Sequence, residues 1–363
     1  MKRPSIRSLN RCSNAYTSTR STLQWLSRCP EPTCGCQPMP ANLDIDHHSN
    51  MTFSPYRDHI LVCTGQKDWA SKIEMDTRTG PVTRHIKTLL GPPGKRGQTK
   101  ASGITPGKYH NPYSPHIITN ASFPSSASST SATSPAGSST GDDLPTVPTS
   151  VYLFPSFKYV TLPHTASLSV YHSILDALIQ EFVYKSNLAA SQTKKEEDII
   201  RGQLEGYQGN GVNLISQPVD EVVVLVCGHG GRDSRCGALG LPLQKEFEEK
   251  LSYASIRVLP QQRNSDETAA SNSARVGLTS HIGGHKWAGN VIIYIPPTWS
   301  RANGHSLSGS ALWYGRVEPK HVEGIVQETI VGGRLIKELW RGGMKLQSAG
   351  AGTRWEPITS DSS

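Results

Sequence analysis

The chain has 363 residues, enough for about two domains of roughly 150 residues each. Its net charge is +8 and 36% of it is hydrophobic, with abundant Gly, Pro and Ser, so part of the length is expected to stay unstructured. The basic residues are scattered and no run of about 18 apolar residues exists, which argues against a nucleic-acid partner and a membrane-spanning helix.

The opening stretch, MKRPSIRSLNRCSNAYTSTRSTLQWLSR, carries Lys2, Arg3, Arg7, Arg11, Arg20 and Arg28, many hydroxyl residues, and no acid before Glu31. It lacks the apolar centre of a secretory signal. Residues 1–28 are read as a mitochondrial transit peptide, with a basic disordered tail as the plain alternative. The location is then mitochondrial, in the matrix or the intermembrane space. Residues 29–187 are expected to form an N-terminal α/β domain. Within it, HILVCTG (59–65) reads as a buried strand and KDWASKIEMD as a helix with Trp69 and Ile73 on one face. HIITNAS (116–122) and VYLFPSFKYV (151–160) have strand patterns, and LSVYHSILDALIQEFVYKSN (168–187) has helical spacing. Residues 122–150 are almost wholly small and polar. Such a stretch buries too little apolar surface to offset its ordering entropy and is expected to be a disordered insertion. Residues 188–218 read as a linker region with one polar helix.

A second α/β domain is expected over 219–343. EVVVLVCG (221–228) is the clearest strand in the chain. LPLQKEFEEKLSY (241–253) reads as a helix introduced by Pro242. SIRVLP, GNVIIYIP and SALWYGRV read as strands, and HVEGIVQETIVGG as a helix that stops at glycine. The order strand, helix, three strands, helix suits a domain of thioredoxin-like size. Residues 344–363 are read as a flexible tail. HILVCTG and VVVLVCGHG share an apolar run ending in Val-Cys, a hint that the two halves are related copies.

Seven cysteines are present, an odd number. Cys12 lies in the presumed leader, Cys29, Cys34 and Cys36 cluster, Cys63 is alone, and Cys227 pairs with Cys236. This is not the dense even framework of a small secreted disulfide protein; it points to metal binding or redox chemistry. Cys227 closes a strand, at the edge where open α/β sheets place ligands. GHGGRDSRCG after it reads as a glycine-rich loop with a cysteine at each end, suited to an anionic metal–sulfur centre. In HIGGH, the Gly-Gly pair argues against helix and for a tight loop presenting His281 and His285 together. Two thiolates and two imidazoles are compatible with tetrahedral zinc or with a [2Fe–2S] cluster. The wide cysteine spacing is unlike a zinc knuckle. No Rieske box and no phosphate-loop pattern is present.

VCGHGGRDSRCGALG, HIGGHKWAGNVIIYIP and LWYGRVEPKHVEGIVQETIVGG resemble the sucrase/ferredoxin-like family, a branch of thioredoxin-like ferredoxins; CTGQKDWASKIE in the first half is similar to the same family. The resemblance implies a two-part α/β chain whose C-terminal domain is a thioredoxin-like ferredoxin. It implies a [2Fe–2S] cluster on Cys227, Cys236, His281 and His285, with the cysteines on one iron and the histidines on the other. His229 is not a ligand in that pattern, and the first half lacks an equivalent set. The expected function is a mitochondrial electron-transfer protein in redox and thiol homeostasis, working with unidentified donor and acceptor proteins. Arg232 and Arg235 are candidates to offset the cluster's charge. No paired carboxylates support glycoside hydrolysis, so no sucrase activity is expected. The rivals are a thiol oxidoreductase using Cys34 and Cys36, whose CxC spacing is not the CxxC of thioredoxin, and a structural protein with zinc on the same four ligands.

Overall fold

The computed structural model describes residues 23–76, 80–94, 104–125, 144, 149–185, 193–204, 212, 214–264, 272–299, 304–349 and 352–359. Residues 1–22 of the expected leader and most of the Ser-rich insertion lie outside these. The rest of the expected leader includes a short strand, β1 (Gln24–Leu26), which pairs in parallel with a strand near the other end of the chain.

β-branched and aromatic runs become strands, and the amphipathic stretches between them become helices. The first half contributes β2 (Asp58–Cys63), α1 (Gly80–Leu90), β3 (His116–Ala121), β4 (Thr149–Phe154), β5 (Lys158–Leu162) and α2 (Leu168–Leu178). A π turn over Ile179–Tyr184 continues α2. After α3 (Lys194–Leu204) and β6 (Ile215–Pro218), the second half repeats the pattern. It runs β7 (Val222–Cys227), α4 (Ser234–Tyr253), the short β8 (Arg257–Val258), β9 (Ser273–Thr279), β10 (Val291–Ile295), β11 (Ser310–Tyr314) and α5 (Pro319–Gly324). A π turn again follows, over Ile325–Val331. The chain closes with β12 (Arg334–Ile336), the partner of β1, then β13 (Trp340–Ala349) and β14 (Gly352–Pro357).

One mixed sheet runs through both halves in the order β14-β13-β11-β10-β7-β9-β3-β2-β4-β5-β6, with β8 beside β9. The two halves have the same internal layout. β2 lies parallel to β3 and antiparallel to β4, which pairs with β5. β7 lies parallel to β9 and antiparallel to β10, which pairs with β11. The copies meet where β3 and β9 run antiparallel, at Ala121 and Thr279. Those residues are also the parallel partners of Cys63 and Cys227, so the two cysteines occupy equivalent ends of equivalent strands.

All six residues of β7 are buried, because the sheet is covered on both faces. Val222, Val224 and Val226 pack into one core with Leu239, Leu243 and Phe247 of α4. The alternate residues Val223, Leu225 and Cys227 pack on the opposite face with Leu61, Tyr152, Phe154 and Tyr294 from both halves. That second core crosses the junction and ties the halves together.

Four expectations differ from what is observed. The stretch expected as helix at 67–76 forms only a single turn at Ile73–Met75, although Trp69 and Ile73 are buried in the core of the second half. Its backbone is held instead by contacts to the Cys227 loop. β9 was not expected, because Arg275 interrupts its apolar pattern; that arginine is fully buried and paired with Glu221 at 3.3 Å. α4 begins at Ser234, earlier than residue 241, and Pro242 lies inside it. Residues 344–363 are not a flexible tail throughout: β13 and β14 form an antiparallel hairpin, and Trp355 stacks against Tyr294 with ring centroids 5.9 Å apart.

Candidate functional site

Cys227 is the last residue of β7, and its backbone N–H donates to Asn290 O at 2.9 Å. The chain then turns within a few residues into α4. Asp233 is the N-cap, its side chain accepting from the Arg235 N–H at 3.1 Å, which opens the helix and satisfies one otherwise free backbone donor. Cys236 therefore sits in the first turn of a helix, and the stretch expected to be loop is loop only as far as residue 233. The glycines that suggested an open loop act by close approach. A Cβ on Gly237 would fall 2.7 Å from Gly230 Cα, and one on Gly240 would fall 2.7 Å from Gly228 Cα. Without side chains there, the helix backbone rests directly on the loop and brings Cys236 to Cys227.

HIGGH forms the expected turn. Gly283 and Gly284 both have left-handed backbones, at φ +80 and +69. The His281 and His285 rings stand with centroids 5.3 Å apart, His281 half-buried and His285 exposed. Cys227 is in hydrogen-bond contact with the Cys236 thiol and with the His281 side chain, and the His229 backbone N–H also donates to it. The four side chains singled out in the sequence thus meet in one corner, linked in the order Cys236, Cys227, His281, His285.

The electrostatics follow from these contacts. The Cys236 thiol donating to Cys227 holds Cys227 well below the ordinary thiol value; burial opposes this and the His281 contact adds to it. Cys236 is correspondingly pushed up, first by keeping the proton it shares with Cys227 and then by burial. Both sulfurs are buried, and both cysteines are free of disulfides.

Two further residues complete the corner. His229 is buried, and its Nδ1 accepts from the His281 backbone N–H at 3.0 Å. Its Nε2 lies 3.1 Å from Trp69 O and 3.0 Å from Ala70 O, so Nε2 carries the proton. It pins the HIGGH turn, the Cys227 loop and the 69–70 segment together. Asp68 supports the same clamp by accepting from the Gly231 N–H at 3.1 Å. Arg341 is the buried cation facing the sulfurs. It donates to Asn290 Oδ1 at 2.8 Å, Gly283 O at 3.3 Å and Thr52 O at 3.1 Å. It also lies over the Trp287 and Trp313 rings at 5.0 and 5.4 Å. Arg235, expected in this role, is paired with Asp233 at 2.8 Å, and Arg232 reaches Ser71. Nothing in the sequence marked Arg341, which lies 56 residues beyond His285 in the hairpin strand β13.

The family model described as Sucrase/ferredoxin-like matches residues 49–342. The chain belongs to the Sucrase/ferredoxin-like family. Among the relatives of this Sucrase/ferredoxin-like chain are three proteins named Altered inheritance of mitochondria protein 32. The one from Debaryomyces hansenii is 27% identical over 88% of this chain and 96% of the relative. The one from Clavispora lusitaniae is 43% identical over 34% of this chain and 36% of the relative. The one from Meyerozyma guilliermondii is 36% identical over 37% of this chain and 39% of the relative. The latter two matches thus span little more than a third of those relatives' length. No solved structure matches the chain.

The expected function needs correction. Among the described residues, no group of three or more His, Cys, Asp or Glu side chains is disposed to hold a metal ion. The side chains run as a string of pairwise contacts. The reading as a [2Fe–2S] electron carrier in redox and thiol homeostasis is therefore not supported. Nor do Cys34 and Cys36 serve this corner. Cys34 contacts Lys250, 14 residues along α4 from Cys236, a rise of about 21 Å. Among the described residues no helix is long and apolar enough to cross a membrane.

Proposed function

We propose that Cys227, Cys236, His281 and His285 form the working site of the chain, and that this site is a dithiol centre closing reversibly to a disulfide. What supports the reading is the side-chain contact between the two free, buried cysteines. Cys227 is the nucleophile, activated by the Cys236 and His281 contacts. Its thiolate attacks one sulfur of a small disulfide and the old S–S bond breaks. Cys236 then displaces the mixed disulfide, and its proton goes to the departing thiolate. The pair loses two electrons and its one proton, and the small disulfide leaves as one thiol and one thiolate, the thiolate taking its proton from solvent. Burial of both sulfurs restricts the reaction to small partners entering past the exposed His285.

The repeated layout supports a division into two thioredoxin-like units, with sheet orders β5-β4-β2-β3 and β11-β10-β7-β9. Cys63 occupies the site's position in the first unit, and burial alone pushes that thiol up, so the first unit has no activated thiol there. The names of the relatives support a mitochondrial setting, in the matrix or the intermembrane space.

The test is anaerobic purification of the full chain, with free thiols, iron, zinc and sulfide counted, followed by titration in a glutathione redox buffer. The expected result is one disulfide mapped between Cys227 and Cys236 that forms and opens reversibly and is lost in C227S. A [2Fe–2S] cluster or a zinc ion on the same four side chains is the competing occupant. Iron with sulfide, or zinc, bound one equivalent per chain and lost in C227S, would replace the dithiol.

A further inference from the structure

α1 and α2 contribute Val82, Ile86, Ile174 and Leu178 to the core of the first half. Beside these apolar residues lies a polar cluster that the thiol corner does not use. His85 of α1 meets Tyr171 and His172 of α2. The His85 ring lies 5.5 Å from the Tyr171 ring and 6.0 Å from the His172 ring, and the last two are 6.3 Å apart, so the three rings form a compact triangle. His85 and Tyr171 form its floor, at 1% and 2% exposure. Arg84 and His172 are half-buried at its rim. Burial pushes the Tyr171 phenol up and the Arg84 charge opposes this, which sets that cation near the hydroxyl.

Three polar atoms of the cluster are out of contact with water and have no hydrogen-bond partner among the described residues: Arg84 Nε, Tyr171 Oη and His172 Nε2. Buried polar groups are nearly always bonded, because an unmet one has lost its water for nothing in return. The donor set says what would satisfy them together. Arg84 Nε–H and Tyr171 Oη–H donate, and a neutral imidazole donates from one nitrogen. Burial holds His172 below its ordinary value, so it is neutral. The carboxylate one turn along α2, Asp176, is already engaged by Lys108 at 2.7 Å and by the Tyr109 hydroxyl at 2.9 Å. The cluster therefore offers donors and one guanidinium charge, and needs an acceptor.

We propose that Arg84, Tyr171 and His172 bind a small phosphate-type oxyanion between α1 and α2. Its oxygens accept from the guanidinium, the phenol and the imidazole. The Arg84 charge favours an anion over a neutral acceptor, and a tetrahedral oxyanion presents separate oxygens to donors that arrive from two helices. Arg84 and His172, at the rim, change rotamer to admit it, while Tyr171 stays fixed in the floor.

The experiment follows thermal unfolding of the full chain in a phosphate-free buffer, with inorganic phosphate added and sodium chloride at matched ionic strength as the control. A dissociation constant of about 1 mM makes about 10 mM phosphate raise the folding equilibrium constant about tenfold. That rise is expected in the parent and is expected to be lost in Y171F and in R84Q. Y171F keeps the ring and removes only the hydroxyl, so without phosphate it is expected to unfold at the parent's Tm or above it. Methyl phosphate distinguishes the source of the group: protection equal to that of phosphate assigns a phosphomonoester, and weaker protection assigns the free ion. No stabilisation beyond the chloride control, equal stabilisation of the parent, Y171F and R84Q, or a Tm of Y171F below the parent's without phosphate, would overturn the proposal.

Discussion

Replacing Arg341 with Met removes a buried cation beside the thiol pair. The guanidinium serves the Asn290 amide oxygen and the Gly283 and Thr52 carbonyls, and removing it leaves those acceptors without a charged donor, at about 1 kcal/mol each. Loss of its contacts over two indole rings adds about 0.5–1 kcal/mol per ring. Relief of the cost of burying the cation returns part of this, and a net loss of about 3 kcal/mol remains. For a chain of this size that corresponds to a fall in Tm of roughly 5–10 °C. Arg341 also places positive charge opposite Cys227, so its loss raises the Cys227 thiol pKa and slows alkylation at neutral pH. R341K keeps the charge and loses the fork, so it should lower Tm while largely preserving the thiolate. The assays are thermal unfolding and the pH profile of iodoacetamide reaction, mapped to Cys227. A Tm within about 1 °C of the parent together with an unchanged alkylation profile would refute the reasoning.

Other changes probe separate contacts. A G231A side chain would lie 2.3 Å from Trp69 O and disturb the Gly231–Asp68 contact, so the clamp over the Cys227 loop should loosen. A cost of about 2 kcal/mol and faster hydrogen exchange over 64–76 are expected, whereas unchanged exchange would rule this out. E221Q leaves buried Arg263 and Arg275 without their shared carboxylate, held at 2.7 and 3.3 Å, and should cost about 3–5 kcal/mol in denaturant unfolding. Burial lowers His59 to about 3 from 6.5, while its ring contacts Tyr294 Oη and Thr119 Oγ1. The folded state thus excludes a proton that the unfolded chain binds below pH 6.5. This contribution to stability is full above that pH and is lost as pH falls toward 3, by up to about 1.4 kcal/mol per unit. H59Q should flatten this slope, and an equally steep acid slope in H59Q would exclude His59 as its source.

Strands that carry their own apolar run could be read directly from the sequence. β2, β7, β10 and β11 are buried on both faces, so each carries a short continuous apolar run rich in β-branched or aromatic residues. β9 is buried just as fully but carries Arg275 near its centre, a position made tolerable by distant Glu221 and by the Pro260 and Gln262 carbonyls that accept from it. Glycines misled in the other direction. In Gly228, Gly230, Gly237 and Gly240 the local signal is flexibility, but the structural need is backbone contact between a loop and a helix. Local propensity carries no information about that contact. The candidate residues Cys227, Cys236, His281 and His285 were legible because cysteine and histidine flanked by glycine are distinctive. What they do together was not, because it depends on which sulfur keeps the proton and on Arg341, contributed by a terminal hairpin whose pairing partners lie far away in sequence.

The most direct measurement is the state of the two sulfurs in the intact chain purified without oxygen. Cys227 and Cys236 should be metal-free, with Cys227 alkylated well below the ordinary thiol pH range in the reduced protein and a Cys227–Cys236 disulfide appearing reversibly on oxidation. Stoichiometric iron with sulfide, or zinc, that shields both sulfurs from alkylation would contradict the dithiol account.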